Sequence, residues 1–227
     1  MYVIEMDSDE VSMTYAIFGG RFQPFHLGQL SVVEHILREE SELVIGIINP
    51  DPREPETPEF YRFAHIDNPF NYWERYLMIW KTLQSKSLTK GVMVVPLPRP
   101  SVYLKKAAQF LPPDRIWYVP TIDEFDNWKI RRYEDQGEEV KEIAVDPKMA
   151  IFNATFIRKQ MNEDGDWKSS VHREVAEVIQ QINGVARVKK LFKRYGPLKS
   201  VTMTKPAPTV EKQKRIWDAV KKGSGSN

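Results

Sequence analysis

One stretch near the N-terminus constrains the fold more than any other part of the chain. The apolar run 15–18 ends at two glycines, which is typical of a buried strand leaving a sheet. From Leu27 onward, apolar residues recur at helical spacing and predict a helix near 27–40. A strand, a glycine-containing loop and a helix N-terminus form an anion site, because backbone N–H groups and the helix dipole converge there. The sequence therefore predicts a phosphate-binding loop between the first strand and the first helix.

Three polar side chains belong to this loop and to the first helical turn. Arg21 and His26 supply donors that suit phosphate oxygens. Gln29 lies three residues after His26, so both side chains are able to face the same spot. A lone histidine in a loop is usually structural, but the surrounding strand, glycines and helix favour a phosphate contact.

Beyond this loop, apolar strands alternate with helical segments. Further strands are predicted at 42–49, 91–97, 115–119 and 139–145, and helices at 71–85, 101–111 and 121–136. This alternation predicts an α/β fold with a doubly wound parallel sheet and a ligand crevice at the carboxyl ends of its strands. In the helix at 71–85, Glu74 and Arg75 are expected beside a broad apolar side made of Trp73, Tyr76, Leu77, Trp80 and Leu83.

Residues 49–69 interrupt the alternation with five prolines, which exclude a helix or a central strand. Aromatic side chains and one histidine make plain disorder a poor description of this loop: Phe60, Tyr61, Phe63, His65 and Phe70. They either form a lid that stacks on a base or ring, or only hold the loop against the surface.

Residues 153–161 form a second candidate anion site. Asn153 or Thr155 is suited to cap a helix whose first turns carry Arg158 and Lys159. Such caps with nearby basic residues occur on many surface helices, so this pattern alone does not distinguish a phosphate site from an ordinary cap.

Four blocks of the sequence, taken in order, resemble the HxGH nucleotidyltransferases, and most closely the archaeal-type nicotinamide-mononucleotide adenylyltransferases. The blocks are Gly-Arg-Phe-Gln-Pro-Phe-His-x-Gly at 20–28, Asn-Pro-Phe with Glu-Arg and Met-Ile within 68–79, the segment 153–161, and Asp-Trp at 166–167 followed by the helical stretch 175–191. The resemblance covers roughly residues 14–194.

The resemblance implies a Rossmann-like α/β domain at 13–195 with C-terminal helices, preceded by an extension at 1–12 and followed by a basic linker and tail at 196–227. It implies transfer of a nucleoside monophosphate group from a nucleoside triphosphate, with ATP as the first choice. The acceptor bears a phosphate, pyrophosphate is released, and the leading acceptor is nicotinamide mononucleotide, which yields NAD. A phosphate nucleophile is already anionic, so catalysis reduces to in-line positioning and charge stabilisation.

The resemblance implies a role in that reaction for each position that matches the family pattern. The catalytic set is His26, Arg21, Gln29 and Arg158, and the nucleotide-binding set adds Gly19, Gly20, Phe22, Gly28, Asn153 and Thr155. The acceptor-binding set is Tyr103, Phe70 and Arg75. Mg²⁺ is expected to bridge the nucleotide phosphates without a cage of protein carboxylates, because this ion keeps its waters.

Three departures from the family pattern leave alternatives open. Gln29 stands where the family has its second histidine, Asn-Ala at 153–154 replaces Ser-Gly, and the stretch 98–104 lacks the Asn and Trp expected to bind nicotinamide. Tyr103 is the one candidate for the stacking ring. The alternatives are a cytidylyl- or adenylyltransferase acting on another phosphate or phosphonate, and a nucleotide-binding regulator with weakened catalysis.

Composition narrows the remaining classes of protein and of binding site. The chain has no cysteine, which excludes disulfides and thiolate metal sites, and its longest apolar run is too short to span a bilayer. With no basic-then-apolar leader, we expect a cytoplasmic protein. Twelve of the 33 Lys and Arg residues follow residue 186, where there are only two acidic residues. Aromatic residues are not regularly interleaved with these basic residues, so nucleic-acid binding is not favoured. Homo-oligomerisation stays open.

Overall fold

The computed structural model describes residues 13–51, 65–100, 104–121, 124–144 and 153–195. The extension at 1–12, the tail at 196–227 and the loop aromatics Phe60, Tyr61 and Phe63 lie outside the described residues, as does the acceptor candidate Tyr103. Within the described ranges, no helix is long and apolar enough to cross a membrane.

Five parallel strands form one sheet at the centre of the fold. They are β1 Tyr15–Gly20, β2 Leu43–Ile48, β3 Val92–Leu97, β4 Arg115–Thr121 and β5 Glu139–Ala144. Their order is β3-β2-β1-β4-β5, and every pairing is parallel. The chain moves outward from β1 to β3 and then resumes at β4 on the other side of β1, so the order reverses between β1 and β4. The predicted doubly wound, Rossmann-like sheet is confirmed.

Seven α-helices are found in the described part of the chain. They are α1 Leu27–Glu39, α2 Tyr72–Ser85, α3 Leu104–Ala107, α4 Glu124–Glu134, α5 Ala154–Asn162, α6 Arg173–Gln181 and α7 Gly184–Tyr195. Short 3₁₀ turns lie at His65–Asp67, Ala108–Phe110 and Lys168–Ser170. The predicted C-terminal helices are α6 and α7.

Hydrophobic clusters cover both faces of the sheet, as a parallel sheet requires. Successive residues of a strand point to opposite faces, so Phe18 belongs to one cluster and Ile17 to the other. The larger cluster packs against α1, α2, α6 and α7, and the smaller one against α3 and α4. Trp117 in the smaller cluster stacks on Tyr133 of α4 at 4.5 Å between ring centroids.

The inward face of α2 differs from the one that the sequence predicts. Its buried residues include Glu74 and Arg75 together with Met78 and Leu83, whereas Trp73 is 59% exposed. Trp73, Tyr76 and Trp80 instead stack on one another along the outer side of the helix, with centroid distances of 5.1 and 6.1 Å. The prediction was wrong for Trp73 because Glu74 and Arg75 find buried partners elsewhere in the chain, which turns the helix toward them.

We expect Gly46→Ala in β2 to lower the free energy of unfolding by about 1–3 kcal/mol, as overpacking of a core does. A Cβ at Gly46 would meet Leu97 Cδ2 at 2.4 Å and Leu97 Cβ at 3.2 Å, and Leu97 is fully buried. Urea denaturation measures the loss. Combining Gly46→Ala with Leu97→Ala should cost less than the two single losses added together, and strict additivity would contradict this packing account.

Candidate active site

The loop between β1 and α1 is anchored by aromatic side chains that point into the protein. Phe22 and Phe25 are both 1% exposed, and their rings meet edge to face at 5.6 Å. Phe22 adopts a left-handed backbone conformation, with φ of 53°, that turns its ring back under the strand end. A Cβ at Gly20 would lie 2.7 Å from that ring, so only glycine fits there. The predicted nucleotide contact of Phe22 is therefore not made by its ring, which belongs to the core.

His26 and Gln29 cap the N-terminus of α1 reciprocally. The Gln29 backbone N–H donates to His26 Nδ1 at 3.3 Å, and the His26 backbone N–H donates to Gln29 Oε1 at 3.3 Å. This pattern assigns the proton of the neutral imidazole to Nε2, and it leaves the Gln29 amide nitrogen as a donor. The loop thus carries two neutral donors at a helix N-terminus. The H-x-x-Q spacing is the signal for this arrangement, which corresponds to a capping box.

Enclosure by the loop lowers the pKa of His26 to about 3. The imidazole is consequently neutral at physiological pH in the free protein. A neutral Nε2–H is able to donate a hydrogen bond to a phosphate oxygen without first taking up a proton.

Arg75, from α2, holds together the chain segments that follow β1 and β2. Its Nη1 donates to the Arg21 carbonyl at 2.9 Å and the Ile48 carbonyl at 2.8 Å, and its Nη2 donates to the Asn49 carbonyl at 2.7 Å. The side chain is fully buried, and burial, followed by the nearby charge of Arg21, lowers its pKa to about 10. The acceptor contact predicted for Arg75 stays a prediction, and in the free protein its donors bind backbone carbonyls.

Phe70 also belongs to the support of the site. Its ring is fully buried, and a Cβ at Gly184 of α7 would lie 2.9 Å from it. The Gln23 side chain donates to the Phe70 carbonyl at 2.8 Å and accepts from the Phe70 N–H at 2.9 Å. The acceptor contact predicted for Phe70 stays a prediction, and in the free protein its ring is enclosed in the core. Gln23, which sequence reasoning passed over, is the residue that fastens this segment to the phosphate loop.

The second predicted motif meets the first one. Asn153 Oδ1 accepts from the Phe156 N–H at 2.7 Å, which confirms Asn153 as the cap of α5. Arg158 is fully buried, and its Nη1 donates to the Gln23 carbonyl at 2.8 Å. Its Nη2 contacts the Asp67 carboxylate and lies 3.3 Å from Thr155 Oγ1. The fold thus brings 20–28 and 153–161 into direct contact at the carboxyl edge of the sheet.

The charge at this edge is strongly positive. Burial lowers the pKa of Arg158 to about 10, Asp67 opposes that shift, and Arg21 adds to it. Arg21 therefore lies close enough to both Arg75 and Arg158 to repel each of them. Such a cluster favours a polyanionic ligand, whose negative charge relieves the repulsion.

Asn49, which follows β2 with a left-handed φ of 54°, was missed by sequence reasoning. It is 2% exposed, and among the described residues neither its Oδ1 nor its Nδ2 has a hydrogen-bond partner. A buried amide without partners costs free energy unless a ligand or water satisfies it. Because Arg75 binds the carbonyls of both Asn49 and Arg21, the Asn49 backbone lies close to the backbone of the predicted phosphate loop.

The free energy of unfolding should fall at acidic pH because His26 binds a proton more readily in the unfolded chain than in the folded protein. Its pKa is about 3 in the folded protein and about 6.5 in the unfolded chain. The unfolded chain therefore binds the proton first, so stability is complete above about pH 6.5 and declines as the pH falls toward 3. His26→Asn keeps a capping side chain without a titrating group. Urea denaturation at about pH 7 and pH 4.5 should show a smaller acid loss for this variant, and equal losses would contradict the assignment.

Comparisons with known proteins agree with this geometry. The model of the cytidylyltransferase-like family matches residues 17–195. A nicotinamide-nucleotide adenylyltransferase from Methanothrix thermoacetophila is 30% identical over 188 residues, covering 80% of this chain and 98% of that protein. A protein of Archaeoglobus fulgidus, described as uncharacterized, is 33% identical over 187 residues, covering 79% and 96%.

A solved structure shares the fold at low sequence identity. It is a bifunctional NMN adenylyltransferase/ADP ribose pyrophosphatase from Francisella tularensis, with 19% identity and a TM-score of 0.53. The match covers 80% of this chain and 57% of that one. The family match spans the sheet, the phosphate loop and the second motif, and it confirms the resemblance found in the sequence. The chain belongs to the cytidylyltransferase-like family.

Proposed function

We propose that the protein is a nucleotidyltransferase that transfers AMP from ATP to nicotinamide mononucleotide, forming NAD and releasing pyrophosphate. The observation that carries this proposal is the contact between Arg158 and the Gln23 carbonyl, which joins two anion-binding motifs at one edge of the sheet. Curated relatives that this chain covers almost completely, at 30% and 29% identity, are named for the same reaction.

The proposed chemistry needs no protein base. An ionised phosphate oxygen of the acceptor attacks the α-phosphorus of ATP, the bond to the bridging oxygen breaks, and pyrophosphate leaves with the electron pair. His26, being neutral, is suited to donate through Nε2–H to the α-phosphate rather than to remove a proton. Gln29 supplies a second neutral donor through its amide nitrogen, and the partly buried Arg21 supplies positive charge.

Mg²⁺ is proposed to accompany the nucleotide. The described ranges contain no group of three or more His, Asp or Glu side chains placed to hold a metal ion. Its ligands would therefore be phosphate oxygens and water, which suits an ion that gives up its waters reluctantly. When bound, it offsets part of the negative charge of the triphosphate. We also propose that the reaction takes place in the cytoplasm and is carried out by residues 13–195.

A second candidate is transfer of a nucleotidyl group to a different phosphate or phosphonate. The sequence at 98–104 lacks the Asn and Trp that the resemblance leads one to expect for nicotinamide binding. Asn49 offers a different polar group for acceptor recognition, since its buried amide has no hydrogen-bond partner within the described ranges.

A panel of four nucleoside triphosphates and several phosphorylated acceptors, read by pyrophosphate release, tests the proposal. We expect turnover with ATP and nicotinamide mononucleotide, and a loss of about a hundred- to a thousandfold in kcat for His26→Ala, as for one preorganised donor. A preference for CTP or another acceptor would favour the second candidate. Nucleotide binding without pyrophosphate from any pair would instead identify a regulator.

Asn49→Ala tests acceptor recognition separately. If the buried amide binds a polar group of the acceptor, its loss should raise KM for the acceptor about tenfold or more, as for an unpaired group in a specific site. KM for ATP should change little. Asn49→Asp replaces the donor Nδ2 by an acceptor oxygen. If the carboxamide oxygen of the acceptor accepts a hydrogen bond from Nδ2, this variant should be less active than Asn49→Ala. An unchanged KM for every acceptor would remove Asn49 from recognition.

A further inference from the structure

Asp67 places a carboxylate inside the cationic edge described above. It lies at the end of the 3₁₀ turn His65–Asp67, is 9% exposed, and contacts Arg158 Nη2. Nothing in the sequence motifs singles it out, because its partner lies 91 residues away. The carboxylate occupies a position on the Arg158 guanidinium that a phosphate oxygen could also take.

The turn that carries Asp67 is fixed to the phosphate loop at a second point. Three residues further on, the Phe70 backbone is bound on both sides by the Gln23 side chain, at 2.8 and 2.9 Å. The Gln23 carbonyl in turn accepts from Arg158 Nη1 at 2.8 Å. Gln23 therefore sets the distance between the arginine and the acid, so that they meet in one geometry.

Arg158 is not fully satisfied in this arrangement. Its Nε–H is buried and has no hydrogen-bond partner in the part of the chain that the structure describes, although Nη1 and Nη2 are both engaged. A buried unpaired donor on a guanidinium is costly, and an anion approaching that edge would remove the cost. The orphan donor and the replaceable carboxylate thus lie on the same side chain.

We propose that Asp67 is a positioning residue. Its carboxylate binds Arg158 in the free protein, and a phosphate of the bound triphosphate replaces the carboxylate on this guanidinium. The inference rests on the proposed function and deepens it, because it specifies how the second motif is kept ready. One anion replaces another on the same buried cation, so the charge of Arg158 is never left unpaired during the exchange. The cost of the exchange is that ATP must compete with Asp67.

The test compares Asp67→Asn with Glu138→Gln as a matched control. Glu138 forms a similarly enclosed pair with Arg115, at the opposite end of the strands. The probe is the non-hydrolysable analogue α,β-methylene-ATP, titrated by calorimetry, with thermal unfolding recorded for each variant. Asp67→Asn should tighten binding about three- to tenfold, since it removes both a competitor and a repelling charge. Its kcat should fall, because Arg158 is aimed less well.

Glu138→Gln should lower thermal stability while leaving nucleotide affinity within about twofold of wild type. Asp67→Glu, which keeps the competing negative charge, should not tighten binding. In an Arg158→Ala background, Asp67→Asn should no longer tighten binding. Unchanged or weaker binding by Asp67→Asn alone, accompanied by a loss of stability, would show a purely structural pair and overturn the proposal.

Hydrogen exchange in the wild type supplies a test that needs no variant. Binding of the analogue should increase exchange in the turn at 65–67, which loses its anchor, and decrease it at 153–161. Decreased hydrogen exchange in both segments would contradict the proposal that the triphosphate replaces Asp67 on Arg158. Affinity and hydrogen exchange are measured without turnover. Nucleotide binding without pyrophosphate release would therefore contradict only the proposed reaction. Failure of the wild type to bind any nucleotide would contradict both the proposed reaction and the role of Asp67.

Discussion

The site depends on one buried guanidinium, that of Arg75. A single planar group donates to the Arg21, Ile48 and Asn49 carbonyls and therefore fixes the chain after β1 against the chain after β2. Water cannot replace these bonds at a fully buried position, so truncation would leave several carbonyls unpaired as well as a cavity. Lysine could not substitute, because one ammonium cannot span the same set of acceptors.

This arrangement explains how a cationic site is assembled without exposing its cations to water. Arg75 is matched by carbonyl oxygens, and Arg158 by a carbonyl and the Asp67 carboxylate. In the free protein both guanidinium groups are thus held by oxygen acceptors, and the partly buried Arg21 adds its positive charge beside them. The α2 helix contributes further, because Glu74 binds Arg187 of α7 at 2.6 and 2.8 Å and thereby ties the C-terminal helices to this support.

The sequence was sufficient to predict the features that depend on local order. The strand, loop and helix at 15–38, the Asn153 cap and the parallel sheet all follow from short-range patterns, and each is found. It was insufficient for Phe70 and Arg75, whose roles are set by partners far along the chain: Gln23 lies 47 residues from Phe70, and the Arg21 carbonyl lies 54 residues from Arg75. An aromatic or a basic residue near a phosphate motif has the same local signature whether it faces a ligand or supports the loop from below.

Gln29 shows why a departure from a family pattern need not indicate lost function. Its carbonyl oxygen completes the cap of α1, and that bond leaves the amide nitrogen as a donor at the start of the helix. A neutral His26 at the same place means that both side chains donate without carrying charge. Stabilisation of the developing charge then falls to the arginines and the helix dipole, whose positions are fixed before any ligand arrives. We therefore expect such a site to lose little when an imidazole is replaced by an amide, because the position would supply a hydrogen bond rather than a proton.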